Sequence, residues 1–98
     1  MDLGIRGKVA LVAASSKGLG RAVAEELAAE GVNLVMCARG EETLRATADS
    51  IRQRTAVEVI DVSADVSKPA DAQRVVKAAF DTFGRVDILV NNSGGPPS

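Results

Sequence analysis

The chain is 98 residues long, 46% hydrophobic and 26% charged, and its formal net charge at pH 7 is −1. This composition is typical of one small, soluble α/β domain, and the low net charge predicts neither nucleic acid nor a membrane surface as a partner. Cys37 is the only cysteine, which excludes an internal disulfide and a cysteine-rich zinc site and favours a reducing, cytoplasmic location. No apolar run approaches the roughly 20 residues that cross a bilayer.

The hydrophobic pattern predicts four strands alternating with three helices. We predict strands at Val9–Ala14, Asn33–Ala38, Val57–Val62 and Val86–Val90, and helices at Leu19–Glu30, Glu41–Arg54 and from a Ser67 cap to Gly84. The third helix has the most regular period, because its apolar residues recur at helical spacing up to Phe83. Phe80 and Phe83 belong to this apolar face, so we expect both in the core.

The order β-α-β-α-β-α-β predicts a Rossmann-like, doubly wound parallel sheet with strand order 3-2-1-4. Helices one and two would cover one face of the sheet, and helix three alone would cover the other. Strand four would then be an unprotected edge beside a half-covered face, which stable proteins usually avoid. We therefore expect residues 1–98 to be the first half of a larger fold and to form homo-oligomers through the exposed strand edge.

A glycine-containing turn follows the first predicted strand. Ser15, Ser16 and Lys17 precede Gly18 and Gly20, which open the first helix. The first N–H groups of a helix have no internal partner, so a phosphate can bind there, and Gly18 would let the backbone approach it. Two glycines alone would also suit any tight turn between a strand and a helix. A P-loop is excluded because the lysine precedes the glycine and no Gly-Lys-Ser/Thr follows.

The end of the second strand indicates which dinucleotide this turn would bind. In dinucleotide-binding folds the residue about twenty positions beyond the turn meets the adenine ribose, and here that position holds Arg39. An acidic residue would bind the ribose hydroxyls of NAD, whereas a guanidinium suits a 2′-phosphate. Lys17 can reach the same phosphate. The alternative is two solvated surface charges, but their joint placement favours NADP(H).

Three motifs, in chain order and across the whole chain, resemble the classical short-chain dehydrogenase/reductase family, and within it the 3-oxoacyl-[acyl-carrier-protein] reductase-like members. Ala13–Gly20 is similar to the family pattern Thr-Gly-x-x-x-Gly-x-Gly, Asp65-Val66 to its Asp-Val pair, and Asn91–Gly94 to its Asn-Asn-Ala-Gly. Ala14 replaces the first glycine and Ser93 replaces the alanine of these patterns. The resemblance makes residues 1–98 the N-terminal dinucleotide-binding half of such a fold.

The resemblance implies an NADP(H) site and a parent reaction in which a hydride passes between NADPH and a carbonyl or alcohol substrate. The implied cofactor residues are Ala14, Ser15, Ser16, Lys17, Gly18, Leu19 and Gly20 at the pyrophosphate, Lys17 and Arg39 at the 2′-phosphate, Asp65 and Val66 at the adenine, and Asn92, Ser93 and Gly94 at the ribose near the nicotinamide. The family also uses a catalytic Ser, Tyr and Lys. The sequence has no tyrosine, so no catalytic residue is assigned and we expect the 98 residues alone to be inactive.

Other interpretations stay open at this point. The chain could be a non-catalytic nucleotide-binding module or a self-assembling Rossmann fragment. A transferase that uses S-adenosylmethionine also has a glycine turn after strand one, but it usually has an acid where Arg39 stands. Asp61 and Asp65 lie close in sequence, yet without His or Cys partners they do not predict a metal site. Cys37 ends a buried strand, which favours a packing role.

Overall fold

The computed structural model describes residues 4–13 and 18–91, which form four strands and three helices in alternation. The strands are β1 (Val9–Ala13), β2 (Asn33–Ala38), β3 (Val59–Ser63) and β4 (Ile88–Asn91), and the helices are α1 (Gly18–Ala29), α2 (Glu41–Arg54) and α3 (Pro69–Phe83). The strands form one parallel sheet in the order β3-β2-β1-β4. The predicted Rossmann-like architecture and its strand order are therefore confirmed.

Each face of the sheet has its own hydrophobic core. Helices α1 and α2 pack on one face, where Ala24, Ala28 and Leu44 contact the sheet through Val12 and Leu34. The small alanines let α1 lie close to the strands. Helix α3 packs on the other face through side chains that include Val75 and Ala79 and that meet Leu11, Val35 and Cys37. The predicted division of the helices between the two faces is thus confirmed, and Cys37 belongs to the core as expected.

Some predicted details of α3 and the strand ends are wrong. Ser67 does not cap α3: the residue at the cap is Lys68, which makes no side-chain capping hydrogen bond, and Pro69 occupies the first turn. Phe80 is 50% exposed, whereas Phe83 is partly buried against the core. Strand β3 begins at Val59, two residues later than predicted; just before it, the Glu58 N–H donates to the side-chain oxygen of Asn33 at 2.9 Å, and the Glu58 carbonyl accepts from the Leu34 N–H at 2.9 Å.

Strand β4 is the last strand of the sheet on the side opposite β3. Its residues alternate between half-buried and exposed, and Leu89 is 69% exposed. Leu89 pairs in register with Leu11, which belongs to the α3-side core, so Leu89 faces the α3 side of the sheet. The predicted open edge beside a half-covered face is present in the described residues.

The other edge strand, β3, is tied to α2 by an arginine. Arg52 donates from Nη2 to the Val59 carbonyl and to Asp61 Oδ1, both at 2.7 Å, and from Nη1 to Asp49 Oδ1 at 2.6 Å. Asp61 therefore forms an ion pair with Arg52. Within residues 4–13 and 18–91, no cluster of three or more His, Cys, Asp or Glu side chains is arranged to hold a metal ion. None of the described helices is long and apolar enough to cross a membrane.

Candidate functional site

The candidate site lies where the carboxyl ends of the strands meet the helices that follow them. In a parallel sheet these ends share one edge, and ligands bind in the crevice beyond it. Residues at and beyond the carboxyl ends of β2 and β3 line one pocket of about 200 Å³. The lining residues are Arg39, Ser63, Ala64, Asp65 and Asp71. The fold thus brings together Arg39 and Asp65, which the sequence analysis assigned to the same cofactor from separate motifs.

Two hydrogen bonds between the adjacent ends of β2 and β3 hold the Arg39 side of the pocket against the Asp65 side. The Ser63 hydroxyl donates to the Arg39 carbonyl at 3.1 Å, and the Ala64 N–H donates to the Ala38 carbonyl at 2.9 Å. The pairing of β2 with β3 therefore continues just past the strand ends. These contacts use the Arg39 backbone, and its exposed guanidinium makes no hydrogen bond to the described residues.

The residues around Asp65 favour the ionised form of its carboxyl group. Ser67 donates to its Oδ1 twice, from the hydroxyl at 2.6 Å and from the backbone N–H at 3.0 Å. These two bonds, the hydroxyl first, lower the pKa of Asp65, and the positive charges of Arg39 and Lys68 add to the effect. Among the described residues, no donor reaches Oδ2. A carboxylate in this state can accept a hydrogen bond from a ligand amino group.

Two further side chains fix the loop between β3 and α3. Asp71, in the first turn of α3, accepts a hydrogen bond from the Asp65 N–H at 2.8 Å. Arg74, one turn further on, donates to the Ser63 carbonyl at 2.7 Å and lies 3.6 Å from Asp71. The sequence analysis missed these roles of Ser63, Asp71 and Arg74. Only Asp71 gave a signal, an acidic residue in a helix's first turn, and that signal alone does not reveal a loop contact.

At the adjoining start of α1, Gly18 adopts φ +64°, a left-handed conformation that favours glycine. A Cβ placed on Gly18 would meet no heavy atom within 4 Å in the described part of the chain, so the space in front of the backbone is open. Leu19 is 68% exposed beside it, and Gly20 is buried. An open approach to a helix N-terminus fits a phosphate group.

The remaining predicted site residues divide into two groups. Val66 lies in the loop between β3 and α3, where it is partly buried and packs against the α3-side core. Asn91, the first residue of the predicted Asn-Asn-Ser-Gly motif, ends β4 in register with Ala13. The others lie outside the described residues: Ala14, Ser15, Ser16, Lys17, Asn92, Ser93 and Gly94.

Comparison with known proteins gives the family of this chain. The sequence profile of the short chain dehydrogenase family matches residues 8–98. The chain belongs to the short chain dehydrogenase family. Among curated family relatives, 1,6-dihydroxycyclohexa-2,4-diene-1-carboxylate dehydrogenase of Pseudomonas putida is 42% identical over 95 residues, which cover 97% of this chain and 34% of that protein.

Solved structures of other short chain dehydrogenases share the fold in detail. The L-sorbose reductase of Gluconobacter frateurii, solved with NADPH and L-sorbose, superposes with a TM-score of 0.94 at 43% identity, over 97% of this chain and 36% of that one. A short chain dehydrogenase from Burkholderia phymatum, solved with NAD, gives a TM-score of 0.84 at 40% identity, over 87% of this chain and 30% of that one. This sequence therefore spans about a third of the length of the relatives it matches.

Membership of the family agrees with the chemistry of the site. The described residues supply a guanidinium, an ionised carboxylate and an open helix N-terminus, all near the carboxyl edge of the sheet. These groups suit the phosphates and the base of a dinucleotide. The site of this short chain dehydrogenase segment is thus suited to cofactor binding.

Proposed function

We propose that this chain is the NADP(H)-binding portion of a short chain dehydrogenase that transfers a hydride between NADPH and a carbonyl or alcohol substrate. The observation that carries the proposal is the pocket that Arg39 and Asp65 share. A guanidinium there suits the 2′-phosphate of an adenosine, and a carboxylate suits the amino group of its adenine. The fit of Gly18 to a phosphate supports it.

We assign the parts of the cofactor to this chain's residues as the family resemblance implies. Arg39, together with Lys17, binds the 2′-phosphate, and Asp65 accepts a hydrogen bond from the adenine amino group beside Val66. The turn through Ala14, Ser15, Ser16, Gly18, Leu19 and Gly20 binds the pyrophosphate, and the segment Asn92, Ser93 and Gly94 borders the ribose near the nicotinamide. Bound cofactor supplies the hydride. The family's proton-donating tyrosine is absent from this sequence, so we propose that these 98 residues bind without catalysing the reduction.

Arg39 is the basis for NADPH rather than NAD as the cofactor. The two solved relatives described above hold different dinucleotides, NADPH in one and NAD in the other, so family membership alone leaves the choice open. The relatives' names also point to different substrates. The acyl-carrier substrate implied by the resemblance therefore stays a hypothesis, as does the cytoplasmic location.

Calorimetric titration with NADPH and NADH tests this assignment. We expect NADPH to bind more tightly, and Arg39→Ala to weaken NADPH binding by about ten- to a hundredfold, because a charge-assisted hydrogen bond contributes about 1.5–3 kcal/mol. NADH binding should not change. Arg54→Ala is the matched control, since Arg54 ends the helix that follows Arg39 and lies about 20 Å away along it. Equal affinity of the unaltered protein for both cofactors would count decisively against the assignment.

A second candidate function is self-assembly of this nucleotide-binding unit. The observations that favour it are the open β4 edge with its exposed Leu89, and the exposed apolar side chains of Val76 and Phe80 on α3, which packs on the face of the sheet that Leu89 also faces. We propose a second copy as the occupant. Two β4 edges paired antiparallel about a twofold axis would satisfy each other's backbone groups and cover both apolar surfaces at once.

A further inference from the structure

The hydroxyl of Ser67 donates its hydrogen bond to Asp65 and does not cap the helix that follows. A serine just before a helix normally caps the helix N-terminus, but here the cap position belongs to Lys68 and carries no side-chain cap. The Ser67 hydroxyl lies 2.6 Å from Asp65 Oδ1, and its backbone N–H lies 3.0 Å from the same oxygen. Both donors of one residue thus converge on one carboxylate oxygen.

We propose that Ser67 is a positioning residue that fixes the Asp65 carboxylate for recognition of the adenine amino group. With Oδ1 held by two donors, rotation of the carboxylate is restricted and Oδ2 is the oxygen left to accept a hydrogen bond in the pocket. Asp71 fixes the backbone of the same residue by accepting its N–H at 2.8 Å. The acceptor is therefore set in place before a cofactor arrives. This inference rests on the proposed function.

The lowered pKa of Asp65 agrees with this geometry. The Ser67 hydroxyl is the largest contribution to that lowering, ahead of the Ser67 N–H and of the charges on Arg39 and Lys68. An ionised carboxylate with one free oxygen accepts hydrogen bonds only. It therefore favours adenine, which has an amino group at this position of the ring, over hypoxanthine, which has a carbonyl there.

The test compares NADPH with the reduced hypoxanthine analogue of NADPH by calorimetry. The unaltered protein should prefer NADPH, and Ser67→Ala should reduce that preference by about three- to tenfold, as expected for one lost hydrogen bond. Ser67→Thr keeps the hydroxyl and should restore the preference. In an Asp65→Asn background, Ser67→Ala should cause no further loss, because the two residues act as one unit.

A second readout needs no cofactor. A carboxyl NMR titration of Asp65 should show its pKa raised in Ser67→Ala toward the ordinary value of 3.8 and restored in Ser67→Thr. An unchanged Asp65 pKa or an unchanged base preference in Ser67→Ala would overturn the inference. Failure of the unaltered protein to bind either dinucleotide would instead overturn the proposed function. Because the NMR titration needs no cofactor, it still tests the effect of Ser67 on Asp65 in that case.

Discussion

The aspartates of this chain have different structural roles, which depend on the hydrogen-bond donors around them. Asp61 on β3 faces Arg52 and is part of an ion pair, and Asp71 on α3 accepts a backbone N–H from the loop before the helix. Asp87 joins two strands: its Oδ2 accepts the Val9 N–H at 2.9 Å, while its own N–H donates to the Val9 carbonyl at 2.8 Å. The side chain thus anchors the start of β4 to β1.

Asp87 should make the stability of the protein depend on pH. The hydrogen bond from Arg85, followed by the one from Val9, lowers the pKa of Asp87 below its ordinary 3.8 in the folded state. A lowered folded pKa stabilises the protein above the unfolded value and loses that stabilisation as the pH falls through the folded value. Asp87→Asn should therefore lower the free energy of unfolding at neutral pH and have little effect in strong acid.

Urea unfolding of both proteins between about pH 6 and about pH 2 measures this difference. Other carboxylates, including Asp65 and Glu25, also have lowered pKa values, but they are common to both proteins and cancel in the comparison. A difference between the two proteins that stays constant over the whole pH range would show that the charge of Asp87 does not stabilise the fold.

At the scale of single elements, two arginines of α2 reach Asp61 on β3, but Arg52 contributes more than Arg45 to holding the helix against that strand. Arg52 donates to the Val59 carbonyl and to Asp61 at 2.7 Å with its side chain 35% exposed, whereas Arg45 lies 3.7 Å from Asp61 and is 64% exposed. A short hydrogen bond to an otherwise open edge strand is worth more than a long, solvated ion pair.

Arg52→Met should therefore lower the free energy of unfolding by about 1–2 kcal/mol. Methionine keeps most of the apolar stem, so the loss reports the guanidinium contacts. Arg45→Met is the matched control on the same helix, with an expected change within about 0.5 kcal/mol. Chemical denaturation checks both. Equal losses in the two variants would contradict the assigned role of Arg52.

Helix α3 shows where sequence pattern stops predicting structure. Its apolar period correctly predicted a helix that ends at Gly84, which adopts φ +75°, and the helix buries Val75 and Ala79. The same period placed Phe80 in the core, but α3 is the only helix on its face of the sheet in the described part of the chain, and Phe80 is half exposed. Periodicity identifies an apolar face of a helix, whereas burial depends on what neighbours that face.

The site shows a similar division between local and tertiary information. Arg39 was predicted from its position after the second strand, whereas Asp65 was implied by the family resemblance, and a parallel sheet brings both positions to one edge. The hydrogen bond from Ser67 to Asp65 was not predicted, since a serine before a helix has two possible partners and the sequence alone does not choose between them. Asp71 and Arg74 likewise depend on how the loop folds onto α3.

For the whole molecule, the two faces of the sheet are unequally covered. Two helices cover one face, while on the other Leu89 on the open β4 edge and Phe80 on α3 lie exposed. Unpaired strand edges flanked by apolar side chains favour pairing with another chain. The proposed partner is a second copy, because the same edge on both copies is self-complementary about a twofold axis.

Sedimentation velocity at micromolar concentration should accordingly detect a dimer or a larger assembly. Leu89→Lys should yield monomers, since a lysine there would be buried without a partner charge and would oppose edge pairing. Leu19→Lys is the matched control: Leu19 is 68% exposed and Leu89 69%, but Leu19 lies on α1, which packs on the opposite face of the sheet. Because both leucines are exposed, neither substitution should change the free energy of unfolding of the monomer by more than about 0.5 kcal/mol. A stable monomer of the unaltered protein, or an assembly that persists in Leu89→Lys, would exclude the β4 edge as the interface.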